Sequence, residues 1–328
     1  MPARAPEYWR RGGALAALLG PLSALYGAGG ALRSRFAKPF RAAVPVICVG
    51  NVVAGGAGKT PVVISLARML AARGLRAQCL TRGYGGSLKG PVRVDPQRHD
   101  AAEVGDEPLL LARVAPTWVA RDRRAGALAA QTAGARAILM DDGLQNPALA
   151  KDLSLLAIDG AYGLGNGRIM PAGPLRESLK RSLARADAVV LVGADETGLL
   201  PRLLNKPVVQ AELRPTAPEQ VRGRRFFAFA GIGRPEKFLR SLVEAGAAIA
   251  GSRAFADHHR YRESELAALA DAAERTGATL ITTEKDWLRL PPPWRGRVET
   301  LPVEIVWRDD RALGALLERV FAAKPAHG

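Results

Sequence analysis

Short apolar runs and stretches of helical periodicity alternate along most of the chain. Three runs predict buried strands, over residues 77–81, 153–159 and 188–192, and a glycine follows each within two residues. Between the runs, apolar residues recur at helical spacing, as they do from Val62 to Leu70. Strands that alternate with helices in this way are typical of an α/β protein with a doubly wound, mostly parallel sheet.

The strongest local pattern is an apolar strand, beginning at Val44, that breaks into glycines before a helix. This order is that of a phosphate-binding P-loop, in which backbone N–H groups and a helix N-terminus surround an anion. We expect the nucleotide to contact Val53, Ala54, Gly55, Gly56, Ala57, Gly58, Lys59 and Thr60. Lys59 would reach the β- and γ-phosphates, and Thr60 would ligate Mg²⁺.

Val53 departs from the general motif GxxxxGK[ST], which has glycine at that position. A glycine-rich turn that binds nothing is the alternative interpretation. The succession of buried strand, Gly-Lys-Thr and helix disfavours it, because the phosphate-binding mechanism requires all three in that order.

A second apolar run begins at Ala137 and ends in the carboxylates of Asp141 and Asp142. Taken alone, such a pair could cap the end of a strand. Beside a phosphate loop, it has the form of a Walker B element, which places an acid near Thr60 and its Mg²⁺. The two motifs together indicate a P-loop NTPase-like fold.

Further charged segments follow other predicted elements. Paired acids in Val104–Pro108 open a helix, where such pairs are more often caps than catalysts. The cationic segment Trp118–Arg124 follows these acids and is suited to binding phosphate, which weakens the interpretation of the acids as mere helix caps. Tyr84 lies in a glycine-rich loop after a strand, and a proline-rich loop delivers Arg176 and Glu177. Loops at the carboxyl ends of strands line the ligand crevice of an open α/β sheet.

Prolines interrupt the pattern at residues 214–223, where we place a linker. It separates a P-loop unit of residues 43–213 from a smaller α/β unit of residues 224–328 that has no P-loop of its own. In the smaller unit, His258 and His259 adjoin Asp257. No further His or Cys lies at zinc-ligand spacing, so either a solvated loop or a catalytic partner is left.

The N-terminal segment, residues 1–42, has no charged residue from Gly12 to Leu32 and carries arginines on both sides. Its length could span a membrane. Glycines and Pro21 interrupt the run, and leucines recur on one helical face, which favours an amphipathic helix that docks on an anionic surface. A cleaved signal peptide is compatible with the composition but conflicts with a nucleotide-binding P-loop. An ordinary helix packed on the core is the remaining alternative.

Composition adds two points. The net charge is 47 − 31 = +16, carried mostly by arginine, which fits nucleic acid, anionic lipid or a phosphorylated substrate. Cys48 and Cys79 lie in apolar runs without a CxxC motif, so we expect buried thiols and a reducing, cytosolic setting.

Nine segments of the chain, in one order, resemble one family, the tetraacyldisaccharide 4′-kinases of lipid A biosynthesis. They are GNVVAGGAGKTP, LTRGYGG, VGDEP, VARDR, DDGLQN, PAGPLRE, FAGIGRPEKF, FADHHRY and TTEKD. In this family the first glycine of the general P-loop motif is not kept, so Val53 is expected. Family members commonly have histidine where this chain has Asn146, which removes support for a catalytic role at that position.

The resemblance implies transfer of a phosphoryl group from Mg·ATP to the 4′-hydroxyl of an acylated glucosamine disaccharide 1-phosphate. The enzyme would be a peripheral protein, and a monomer, on the cytoplasmic face of the inner membrane. By resemblance, Asp106 would be the base and His258 its partner, while Lys59 and Arg121 would stabilise phosphate charge. Further implied roles are metal ligation by Thr60, Glu107 and Asp141, catalysis by Asp142, and substrate contact by Tyr84, Arg176 and Glu177.

Two other classes of function are compatible with a P-loop. A P-loop ATPase or GTPase acting on nucleic acid could carry the same charge, but it should show interleaved aromatic and basic residues, which the sequence lacks; we expect no nucleic-acid partner. A membrane-recruited nucleotide switch would lack the acids of VGDEP and the histidines of FADHHRY.

Overall fold

The computed structural model describes residues 6–203 and 205–324. The first five residues of the predicted N-terminal segment therefore lie outside the described part of the chain. The strands are β1 Val46–Gly50, β2 Ala77–Thr81, β3 Val92–Arg93, β4 Thr117–Val119, β5 Ala137–Asp141, β6 Leu153–Asp159, β7 Ala188–Val192, β8 Val208–Pro215, β9 Arg225–Ala230, β10 Ala248–Ala254, β11 Thr279–Thr282, β12 Glu299–Thr300 and β13 Val303–Trp307.

The helices are α1 Tyr8–Arg11, α2 Ala14–Leu18, α3 Gly20–Arg35, α4 Lys59–Ala72, α5 Ala101–Val104, α6 Asp106–Ala112, α7 Arg123–Thr132, α8 Leu179–Arg185, α9 Pro235–Glu244, α10 Glu263–Arg275, α11 Glu284–Leu288, α12 Pro292–Arg295 and α13 Arg311–Ala323. Two short 3₁₀ turns lie at Leu200–Arg202 and Pro218–Gln220.

The larger sheet has nine strands within the described residues, in the order β13-β8-β7-β6-β1-β5-β2-β4-β3. The seven strands from β8 to β4 are parallel, and only the edge strands β13 and β3 run antiparallel to their neighbours. The predicted doubly wound, mostly parallel sheet is therefore confirmed.

Helices cover both faces of this sheet, which explains why its central strands are apolar throughout. Ile47 and Val49 of β1 face a core formed with α4, while Val46 and Cys48 face a core formed with α7. Parallel strands buried on both sides lose the alternation of apolar and polar residues that strands with one solvated face show.

The smaller unit has a four-stranded parallel sheet in the order β10-β9-β11-β12. Phe226 and Leu242 belong to the core on one side of β9, and Phe229 and Leu266 to the core on the other. Helices α9 and α10 thus pack on opposite faces, so this unit is a second, small α/β layer structure.

The predicted extent of the smaller unit, 224–328, is too long at its C-terminal end. Strand β13 pairs with β8 at the edge of the larger sheet, with Val303 opposite Pro215 and Trp307 opposite Ala211. Helix α13 packs its leucines into the core of the P-loop unit. The smaller unit is therefore inserted into the larger one, because apolar contacts draw the C-terminal strand and helix back to the large sheet.

Helices α2 and α3 at the N-terminus present two different faces. Ser23 is buried and its hydroxyl donates to Ile169 O at 2.8 Å, so one face packs on the larger unit. The opposite face exposes Leu15, Leu18, Leu22 and Leu25. Among the described residues, no helix combines the length and the apolar character needed to cross a bilayer.

We expect Leu317→Ala in α13 to lower the free energy of unfolding of the P-loop unit by about 2–5 kcal/mol, because it leaves a cavity in a packed core. Leu317 is fully buried there, whereas Arg319 on the same helix is exposed. Urea unfolding of the variant should be compared with Arg319→Ala. Equal effects of the two changes would contradict the assignment of α13 to this core.

Candidate active site

The site lies where the carboxyl ends of β1, β5 and β6 meet. Strand β1 is central, and the chain reaches its neighbours β5 and β6 on opposite sides. Such a point of reversal opens a crevice at the carboxyl edge of a parallel sheet. The smaller unit faces this edge, and the resulting cleft has a volume of about 3280 Å³.

The phosphate loop connects β1 to α4. Gly58 adopts a left-handed φ of +77°, which favours glycine, and α4 begins at the next residue. The amide of Asn51 donates to Val53 O at 2.6 Å and to Gly55 O at 3.2 Å, so it holds the loop from inside. N–H groups in the first turn of α4 have no partner inside the helix and face the crevice.

Two predicted nucleotide-binding residues also anchor the loop. The Val53 side chain is buried in an apolar cluster, and its backbone pairs with that of Leu175. The N–H of Ala54 donates to Pro174 O at 2.8 Å. These contacts give a physical reason for valine in place of the first glycine, because the side chain fills a core. The contact of this position with the nucleotide stays a prediction.

A buried acid lies beside the P-loop threonine, as the sequence predicts. Thr60 Oγ1 donates to Asp141 Oδ2 at 3.1 Å. The other oxygen, Oδ1, is buried without a hydrogen-bond partner, and burial raises the pKa of Asp141. An unpaired carboxylate oxygen next to a hydroxyl is a donor set suited to Mg²⁺.

Asp142 is bound by two cations of the cleft. Its Oδ1 accepts from Arg176 Nη1 at 2.8 Å and lies 3.7 Å from Lys59 Nζ. Burial would raise the pKa of Asp142, but the charges of Lys59 and Arg176 outweigh it and lower the pKa. The carboxylate thus balances the charges of Lys59 and Arg176, which both line the cleft.

The remaining predicted residues differ in how freely they face the cleft. Tyr84 is exposed, and its ring centroid lies 5.0 Å from that of His258. Arg121 is exposed on the cleft wall. Glu177 is buried and accepts from Arg185 Nη1 at 2.8 Å and from Gln145 Nε2 at 3.1 Å. Glu177 therefore stabilises the wall of the cleft, and its contact with substrate stays a prediction.

Asp106, at the start of α6, meets His258 across the two units. Its Oδ1 lies 3.3 Å from His258 Nδ1, and its Oδ2 accepts from Arg289 Nη1 at 2.6 Å. The adjacent Glu107 accepts from Lys285 Nζ at 2.6 Å. His258 has a left-handed φ of +57°, a strained conformation that tends to occur at functional sites.

Charge pairing sets the protonation states of this group. Burial would raise the pKa of Asp106, but hydrogen bonds with Glu107 and His258 outweigh it and lower the pKa well below its usual range. Burial would lower the pKa of His258, but the hydrogen bond and charge of Asp106 raise it. Burial raises the pKa of Glu107 to about 7, against the opposing charge of Lys285. Asp106 is thus ionised at neutral pH.

Comparisons with known proteins identify the family. The family described as tetraacyldisaccharide-1-P 4′-kinase matches residues 15–322 of the chain. The chain belongs to the tetraacyldisaccharide 4′-kinase family. Its relatives include the tetraacyldisaccharide 4′-kinase of Paramagnetospirillum magneticum, 52% identical over 321 residues, which are 97% of this chain and 98% of the relative. The enzyme of the same name from Rhodospirillum centenum is 51% identical over 333 residues, with 99% of each chain covered.

A solved structure is similar along almost the whole chain. LpxK from Aquifex aeolicus, crystallised in complex with ATP, is 28% identical with a TM-score of 0.75. The similarity covers 94% of this chain and 100% of that one. The kinase described here therefore shares both the large sheet and the inserted smaller unit with a protein that binds ATP.

Sequence reasoning missed the cations that the smaller unit places in the cleft. Arg289 bonds both Asp106 and Asp286, and Asp286 is itself held by Tyr261 Oη at 2.6 Å. Lys285 and Asp286 belong to the motif TTEKD, whose only signal in the sequence is its resemblance to the family. Lys285 lies in the five-residue helix α11 and Arg289 directly follows it. A helix this short gives no clear periodic signal, so no local pattern pointed to these cations.

The raised pKa of His258 predicts a pH-dependent contribution to stability. Its ordinary value is 6.5, and the folded value is higher. Protonated His258 therefore stabilises the fold fully below pH 6.5, and that contribution is lost as the pH rises through the folded pKa. We expect His258→Gln to reduce the free energy of unfolding more at pH 6 than at pH 9.

Urea titrations of the wild type and the variant at both pH values measure this difference. In an Asp106→Asn background the difference should shrink, because Asp106 is the main source of the raised pKa. A cost of His258→Gln that is the same at both pH values would contradict the prediction.

Proposed function

We propose that this kinase transfers the γ-phosphoryl group of ATP to the 4′-hydroxyl of an acylated glucosamine disaccharide 1-phosphate, with Asp106 as the base. One observation supports the residue assignment most directly. His258, whose Nδ1 lies 3.3 Å from the buried, ionised Asp106, lines the same cleft as Lys59 and Thr60 of the phosphate loop. A hydroxyl held beside this pair can therefore face a γ-phosphate held by the loop.

Phosphoryl transfer requires positioning and charge neutralisation more than covalent chemistry. The 4′-oxygen bonds to the γ-phosphorus while the bond from that phosphorus to the β–γ bridging oxygen breaks, and ADP leaves. The hydroxyl proton passes to Asp106, which His258 and Arg289 hold in place. Lys59 and the N–H groups of the phosphate loop neutralise the charge that develops on the transferred group.

The residues near Thr60 fit a magnesium ion. The unpaired oxygen of Asp141 and the hydroxyl of Thr60 would hold it, and the ion would supply charge neutralisation to the phosphates when bound. Glu107 also has a buried oxygen without a partner, while Lys285 occupies its other oxygen. Glu107 is therefore a candidate for a second carboxylate facing the metal or its water.

Substrate would enter along the side of the cleft that adjoins the N-terminal helices. Leu25, Tyr26 and Arg33 of α3 line the same cleft as Arg176. The apolar face of α2 and α3 would lie on the cytoplasmic face of the inner membrane, where ATP is present and the lipid substrate is embedded. Arg176, Arg121 and Tyr84 would then contact the sugar and phosphate part of the lipid.

Lys59→Ala should lower lipid phosphorylation by several orders of magnitude, because it removes a direct contact to charge in the transition state. The assay is phosphoryl transfer from labelled ATP to the purified lipid acceptor, followed by thin-layer chromatography. Arg68→Ala, an exposed change on the same helix, is the matched control. Near-normal activity of purified Lys59→Ala would remove the phosphate loop from the mechanism.

Asp106 and His258 should behave as one unit. Asp106→Asn should depress kcat severely with ATP affinity near normal, and His258→Ala should do the same less severely. The double variant should be little worse than Asp106→Asn alone, because residues that act together are not additive. His259→Ala is the control, since that imidazole contacts Glu265 at 2.9 Å instead of Asp106. Fully additive losses would refute the pair.

The exposed leucines predict membrane binding. Leu18 is 76% exposed and Leu25 is 70% exposed. Because burying a leucine in an apolar phase contributes about 1.5–3 kcal/mol, Leu18→Ser with Leu25→Ser should weaken sedimentation with vesicles at least tenfold. Val243→Ser, an exposed apolar change on α9, is the control. An unchanged vesicle affinity would contradict docking through this face.

The basic flanks should add a salt-sensitive part to the same binding. Replacing Arg10, Arg11, Arg33 and Arg35 by Gln should cost about 1 kcal/mol each on anionic vesicles at low salt. This loss should shrink as the salt concentration rises, whereas the loss from the leucine changes should persist.

A further inference from the structure

The smaller unit reaches the phosphate loop through the turn before α9. Arg234 donates a hydrogen bond to the backbone carbonyl of Gly56, 178 residues earlier in the chain. The preceding Gly233 approaches the loop so closely that an added Cβ would lie 3.4 Å from Gly56 N. The two units therefore touch at the anion-binding backbone itself.

A buried carboxylate fixes the side chain that makes this contact. Asp159, at the end of β6, is 3% exposed, and its Oδ2 accepts from Arg234 Nη2 and from Lys237 Nζ, each at 2.7 Å. The guanidinium also lies 5.1 Å from the centre of the Tyr162 ring. Arg234 is thus held from three sides with one nitrogen shared between Asp159 and the loop.

The geometry of the peptide bond gives this contact a consequence for phosphate binding. In a trans peptide the C=O and the N–H point in opposite directions. The carbonyl of Gly56 belongs to the peptide whose N–H is that of Ala57. When Arg234 holds the carbonyl on the outside of the loop, the N–H of Ala57 is turned toward the inside, where an anion is bound.

We propose that Arg234 is a positioning residue for the phosphate loop, and that Asp159 holds Arg234 in place for this role. The ATP site is then complete only when the smaller unit is docked, because one of its side chains orients a phosphate-binding amide of the larger unit. This inference rests on the proposed function, in which the loop binds the phosphates of ATP.

A neighbouring ion pair provides a matched comparison. Arg240, which follows Arg234 by six residues and lies in α9, donates to Glu196 Oε1 of the larger unit at 3.0 Å. This pair also joins the two units, but both side chains are about half exposed and Glu196 is remote from the loop in sequence. Loss of Arg240 therefore shows how much an ion pair between the units contributes to ATP binding when that pair makes no contact with Gly56.

The experiment measures ATP binding to the full-length protein without lipid, by calorimetry, together with the melting temperature with and without ATP. We expect Arg234→Ala to raise the Kd for ATP about tenfold, the effect of losing a charge-assisted hydrogen bond. Arg240→Ala should change it less than twofold. Arg234→Lys should keep a cation beside Asp159 yet still weaken ATP binding, because an ammonium lacks the planar group that Asp159 and the Tyr162 ring fix in one orientation.

A second prediction separates positioning from stability of the interface. Arg234→Ala should reduce the rise in melting temperature that ATP causes. This holds whether or not the variant changes the melting temperature of the protein without nucleotide. Asp159→Asn should weaken ATP binding as well, and combined with Arg234→Ala it should add little.

An ATP affinity of Arg234→Ala equal to that of Arg240→Ala would overturn the inference. Lys59→Ala in the same titration distinguishes this outcome from a failure of the proposed function. If Lys59→Ala binds ATP normally, the phosphate loop is wrongly assigned. If Lys59→Ala fails to bind while Arg234→Ala binds like Arg240→Ala, only the role of Arg234 is refuted.

Discussion

Several buried or partly buried carboxylates of the larger unit are paired with cations that the smaller unit supplies. Asp106 is paired with Arg289, Glu107 with Lys285, and Asp159 with Arg234 and Lys237. Removing one partner from a buried pair costs several kcal/mol, about 3–5, because the other charge is left uncompensated. Separation of the units would expose these charges to water, so the same pairs organise the site and hold its two halves together.

This distribution of charge also explains how Asp106 can be buried and still be ionised, as a base must be. Asp106 is 2% exposed, yet its hydrogen bonds with Glu107 and His258, together with the charges of Lys285 and Arg289, lower its pKa and keep it ionised. A carboxylate with a low pKa is a weak base, which suits a reaction whose transition state develops little need for proton removal. Asp106 would then contribute to catalysis mainly by orienting the hydroxyl. Arg289, which is held by Asp286, keeps the Asp106 side chain rigid for this role.

The parallel strands could be read from the sequence because burial on both faces makes each a continuous apolar run. Ala77–Thr81, Leu153–Asp159 and Ala188–Val192 have the predicted bounds. Strand β13 could not be placed in this way, because its five residues include the charged Glu304 and its partner β8 is 88 or more residues earlier. The phosphate loop and the acids were predictable from motifs, whereas Arg289 and Arg234 depend on pairing across the cleft that no local pattern encodes.

The insertion of the smaller unit sets the order in which the chain can be completed during synthesis. Strand β8 remains an unpaired edge until β13 has emerged, and β13 follows the whole of the smaller unit. The core around α4 likewise waits for the leucines of α13. Domains generally fold as units while the ribosome is still adding residues. In this kinase the first strands of the nucleotide-binding unit are synthesised before the smaller unit, and its last strand and helix are synthesised after it. The edge of β8 therefore stays exposed until the smaller unit has been synthesised, and prompt folding of that unit shortens this exposure.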